Sequence, residues 1–80
     1  MDNSEVKEFV RKVLIGIGIS ENVIKDEVYL RSEIGLDSTE VVDLALAVKK
    51  EYNVDLSLKN DITLNTLYST VLENIKNSER

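Results

Sequence analysis

The stretch IGLDSTEVVDL, Ile34 to Leu44, decides how the chain folds. A glycine runs into an Asp-Ser pair, and an apolar-periodic segment begins at once behind it. If Asp37 is the N-cap of a helix, Ser38 is N1, Thr39 N2 and Glu40 N3. Asp37 can then accept from the N3 amide while Glu40 reaches back to the cap amide, the reciprocal arrangement of a capping box. That assignment leaves the Ser38 hydroxyl unused. If Ser38 were itself the cap, its oxygen would be occupied by the backbone. Both residues are ordinary caps.

The helix so begun is expected to run from about Asp37 to Tyr52. At about 100° per residue, Val41, Leu44, Ala45, Val48 and Tyr52 fall on one flank, which should be core. The other side carries Glu40, Asp43, Ala47, Lys50 and Glu51. Along its edge Thr39, Asp43, Leu46 and Lys50 line up, and Leu46 is the apolar member of a charged stripe. Beside an acidic helix start it becomes a candidate partner contact.

Two further helices flank this one. Val6, Phe9, Val10, Val13, Leu14 and Ile17 recur at helical spacing, with Asp2, Asn3 or Ser4 as cap and Gly16 or Gly18 as terminator. Leu64, Leu67, Tyr68, Val71, Leu72 and Ile75 repeat the pattern behind Thr63 or Asn65, with a polar tail, Lys76 to Arg80, expected to fray. Residues 18 to 36 are too long a connection to be idle in a small domain. An ordered loop is expected, with a helical turn near Glu21 to Lys25 and with Val23, Ile24, Val28, Tyr29, Leu30 and Ile34 covering one end of the bundle. A further turn is expected around Leu58 to Ile62. The predicted architecture is all-α: three main helices plus one short helix in a small bundle, with a long loop between helices one and two, residues 1 to 80 forming a single domain.

Composition narrows the function. An 80-residue chain buries only about 60% of the surface its unfolded form exposes, so a second core does not fit. There is no cysteine, hence no disulfide or thiolate metal site, and no histidine, the commonest general base and metal ligand. A self-contained enzyme is therefore not expected. Fifteen acidic against ten basic side chains give a net charge of −5, which repels phosphate backbones and anionic headgroups. Nucleic acid is disfavoured as a partner, and proteins with basic patches are favoured. The start, MDNSEVKE, has neither a basic n-region nor an apolar h-region, and no apolar run approaches the roughly 20 residues of a membrane span. A cytoplasmic monomer is expected.

Ser38 has no neighbour in sequence able to activate it as a nucleophile. It would have to be acted upon by an enzyme that supplies the base. With that, the order Ile34-Gly35-Leu36-Asp37-Ser38, then Val41, Val42, Leu44, Leu46, Val48 and the Glu51-Tyr52 ending, resembles the acyl carrier protein family, including the peptidyl carrier domains. The family signature is Gly-x-Asp-Ser-Leu followed by an acidic-apolar helix ending in Glu-Phe or Glu-Tyr. The likeness runs without a gap from Leu30 to Leu56, and more loosely over the whole order of helices.

The resemblance implies that Ser38 is the attachment point of a 4'-phosphopantetheine arm, transferred from coenzyme A by a separate magnesium-dependent phosphopantetheinyl transferase. The arm would carry an acyl or aminoacyl group as a thioester between a loading enzyme and downstream synthases or transferases. Asp37, Glu40 and Asp43 match acidic positions that meet basic patches on such partners, and Leu46 matches an apolar contact position; each also has an ordinary reading as a cap or a solvated side chain. Thr39 stands where the family usually has leucine, which reduces an apolar contact with transferases. Lys49 and Lys50 stand where fatty-acid carriers are usually acidic. The departures point to a discrete carrier in a specialised pathway of polyketide, nonribosomal-peptide or aminoacyl-transfer type, over a housekeeping fatty-acid one. The alternative is an unmodified helical interaction module that binds through the Thr39, Asp43, Leu46 stripe.

Overall fold

The computed structural model describes residues 3–56 and 60–78. Three helices carry the fold: α1, Asn3–Ile17; α2, Ser38–Tyr52; and α3, Leu64–Ser78. Helix α1 packs against both of the others. Its face of Val6, Val10 and Leu14 is wholly buried, and it meets Leu44 and Val48 of α2 and Leu64, Leu67, Tyr68 and Val71 of α3 in one cluster. Each fully buried leucine there contributes about 1.5–3 kcal/mol relative to exposure. Phe9 adds an edge-to-face contact with Tyr52 at 5.5 Å, which closes α1 onto the far end of α2.

The helix ends follow local chemistry. Gly18, at φ +113°, terminates α1. Its amide donates to the Ile15 carbonyl and that of Ile19 to Leu14, the paired bonds of a Schellman end. Gly16 stays inside the helix, as do Asn3 and Ser4, while Asp2 lies outside the described residues. At α3, Thr63 is the cap: its hydroxyl accepts from the Thr66 amide at 3.2 Å, and Asn65 is already helical. The polar tail expected to fray is helical through Ser78; Glu79 and Arg80 lie outside the described residues. Asn53 ends α2 in the left-handed region, which asparagine tolerates.

The connection from α1 to α2 is ordered, with a short 3-10 turn at Glu21–Val23 inside the predicted span. Ion pairs from Lys7 to Asp26, at 2.9 Å, and from Arg11 to Glu21 tie it to α1. Its second half docks on the segment before α3. Tyr29 and Thr63 form an isolated antiparallel bridge. Leu64 donates to Val28 and Leu30 to Ile62. Leu30 and Leu36 enter the core and Ile24, Val28 and Ile34 pack against it, but Val23 and Tyr29 are exposed, contrary to their expected covering role.

The turn expected around Leu58 to Ile62 is not helical over Asn60–Ile62, and Leu58 falls outside the described residues. The reason is long-range. The Ile62 carbonyl is taken by Leu30, and the Asp61 carboxylate turns to the loop, accepting from the amides of Arg31 at 2.8 Å and Ser32 at 3.1 Å. The Ser32 hydroxyl and then the Arg31 amide hold the Asp61 carboxyl below its usual range.

Because the folded carboxyl titrates lower than the unfolded one, Asp61 stabilises the fold fully above the unfolded range, and that contribution is lost as pH falls through the folded value. Asp61→Asn is therefore expected to melt below wild type at neutral pH, with the gap closing on acidification. A gap of constant size from pH 7 to pH 2 would remove the charge from the explanation.

Candidate functional site

Helix α2 opens on the predicted capping box. Asp37 is extended, at φ −90° and ψ −179°, and its Oδ1 accepts from the Glu40 amide at 2.9 Å, while Glu40 Oε1 accepts from the Asp37 amide at 3.0 Å. The carbonyl of Asp37 takes the first helical bond, from Val41. Ser38 is thus N1, the first of the two assignments. Its side chain is exposed and makes no hydrogen bond with any described residue. Leu36, buried two residues earlier with its amide on the Leu30 carbonyl, pins the chain entering the box, and Gly35 before it adopts φ +90°.

The other predicted contact residues divide into two groups. Asp37 and Glu40 each use one carboxylate oxygen on the cap, so their charge is held rigidly at the helix entrance. Thr39, Asp43 and Leu46 are exposed, Leu46 by 54%. Val42, also 54% exposed, was not foreseen as part of this surface. At about 100° per residue it lies roughly 40° from Ser38 and Leu46 roughly 80°, while Asp43 is nearer 140° away. The signal was available in the tandem Val41-Val42: neighbours about 100° apart cannot both face one narrow core stripe, and Val41 is the buried one. Beyond Leu46, Lys49 pairs with Asp55 at 2.9 Å, and Lys50 is exposed.

The site is thus a serine hydroxyl at a helix entrance, ringed by carboxylates and followed by two exposed apolar side chains. Neither of two shallow grooves, one at Phe9 and Tyr52 and one at Asp26 and Thr63, includes Ser38 in its walls. No described helix is long and apolar enough to cross a membrane.

No family model matches the chain. Its fold, however, is similar to that of ColA1a, a type II peptidyl carrier protein of collismycins biosynthesis, with 29% of residues identical, a TM-score of 0.68, and 84% of this chain and 91% of that one covered. The chain is thus similar in both fold and sequence to a carrier protein. Its all-helical architecture is that of a small carrier, and carrier function in general follows from the likeness. Within this fold Ser38, Val42 and Leu46 share one exposed flank of α2, whereas Asp43 lies on a different flank.

The capping box has a measurable cost of removal. Asp37→Ala should destabilise the protein by about 1 kcal/mol in denaturant unfolding. An unchanged midpoint would show that the cap bonds carry no net stability.

Proposed function

We propose that this carrier is modified on Ser38 Oγ with a 4'-phosphopantetheine arm and presents acyl, aminoacyl or peptidyl groups to partner enzymes. The observation that supports the reading is the freedom of the Ser38 hydroxyl: exposed, not hydrogen-bonded to any described residue, and released from capping by Asp37 and Glu40. A hydroxyl in that position fits the group, because an incoming phosphorus can approach from solvent without breaking a helix bond. Once attached, the arm supplies a terminal thiol that holds the cargo as a thioester, chemistry a chain without cysteine cannot provide itself.

The chain's own part is to offer the oxygen and stay out of the way. Ser38 Oγ forms the new bond to phosphorus, 3',5'-ADP leaves from coenzyme A, and the hydroxyl proton passes to a base on the transferase. The positive end of α2 would favour a phosphate ester by about 0.3–1 kcal/mol. The nearby carboxylates of Asp37, Glu40 and Asp43 oppose it. The two effects offset, so the attachment point holds its substituent without clamping it, which suits delivery to several enzymes. The carboxylates serve instead as contacts for basic patches on those enzymes, with Val42 and Leu46 as the apolar contact and Thr39 at the edge.

The pathway proposed is a specialised one, of polyketide, nonribosomal-peptide or aminoacyl-transfer type, in the cytoplasm, with this chain as a single non-catalytic domain. The role of ColA1a in making collismycins supports that choice, as do Lys49 and Lys50. Incubation with coenzyme A and a broad-specificity phosphopantetheinyl transferase should add one phosphopantetheinyl group by intact mass, and Ser38→Ala should gain none. A wild-type chain left unmodified beside a modified control carrier would return it to an unmodified interaction module.

A further inference from the structure

We infer that Glu40 is a positioning residue for the modification of Ser38: its carboxylate decides which of two adjacent residues caps α2, and so keeps the hydroxyl off the backbone. The inference rests on the carrier reading above. Asp37 and Ser38 are neighbours of nearly equal strength as N-caps. The helix could therefore begin one residue later, with Ser38 extended and its Oγ accepting from the Val41 amide, which in this structure donates to the Asp37 carbonyl. In that register the oxygen to be modified would be occupied.

Cap strength does not separate the two registers; the residue three positions on does. Behind Asp37 stands Glu40, half-buried, whose Oε1 accepts from the Asp37 amide at 3.0 Å and completes the box. Behind Ser38 stands Val41, which has no acceptor to reach back with and is buried in the core. One hydrogen bond thus divides the registers, a bias of about tenfold. Leu36 holds the chain before the cap, with its amide on the Leu30 carbonyl, and Val41 holds it after. The choice is confined to the few residues between them. With Glu40 in place about one chain in ten has its hydroxyl engaged, and without an acceptor at this position about half would. What biases the registers is an acceptor oxygen and not a charge, so glutamine can replace it. A Glu40 that served only as a surface charge would lose as much on becoming glutamine as on becoming alanine.

Glu40→Gln and Glu40→Ala lack the charge alike, so the contrast between them isolates the acceptor. In NMR spectra of the unmodified chain, the Ser38 Cα and Cβ shifts should be helical in wild type and Glu40→Gln, and should move about halfway to extended values in Glu40→Ala. With coenzyme A and a broad-specificity phosphopantetheinyl transferase, kcat for Ser38 modification should be about twofold lower in Glu40→Ala than in Glu40→Gln at every salt concentration, with equal KM. Ser38 shifts that stay helical in Glu40→Ala, or equal kcat for the two variants, overturn the positioning role and leave the carrier reading intact. So does a Glu40→Ala chain that no longer folds, because Glu40 would then hold the helix itself and not the choice of cap. Failure of the wild type to be modified while a control carrier is modified overturns both.

Discussion

The reciprocal pair of hydrogen bonds between Asp37 and Glu40 is the constraint from which the functional surface follows. A helix start leaves amide donors without partners, and something must accept from them. In this chain two carboxylates do so, one from each side, and the serine between them is spared. The same bonds fix the rotational phase of α2. Once Asp37 is the cap, Val41, Leu44 and Val48 must turn inward, and Ser38, Val42 and Leu46 outward. A cap shifted by one residue would occupy the hydroxyl and alter which residues follow it at the helix entrance.

The box is held in place by structure remote in sequence. Leu36 anchors the approach, Leu30 anchors the loop, and the loop is fastened to the segment before α3 by the Tyr29–Thr63 bridge and the Asp61 carboxylate. Helix α1 then packs on α2 and α3 together, so a small core suffices to position the entrance of α2. A chain of this size gains little from burial alone, and these polar fastenings make the long connection behave as part of the fold.

Much of this was legible in the sequence because it rests on local rules. The three helices follow from apolar spacing, and the α2 entrance from an Asp at the cap with a Glu three residues on. What was not legible depends on partners far along the chain. Asn60–Ile62 could read as a helical turn until the Ile62 carbonyl was claimed by Leu30 and Asp61 by Arg31 and Ser32, residues about 30 positions away. The exposure of Val23 and Tyr29 likewise depends on how the loop lies against the bundle. At the site, Ser38, Asp37 and Glu40 were readable down to their bonds, whereas Val42 was placed on neither face of the helix, and its exposure follows from Val41 being the buried one of the pair.

The freedom of the Ser38 hydroxyl underlies the proposed modification. Urea unfolding of Ser38→Ala against wild type tests it most directly, without any partner or cofactor. A hydroxyl that takes no part in capping can be deleted with a change in unfolding free energy of no more than about 0.5 kcal/mol. A loss of about 1 kcal/mol or more, the size expected for a removed N-cap, would show that the backbone uses this oxygen.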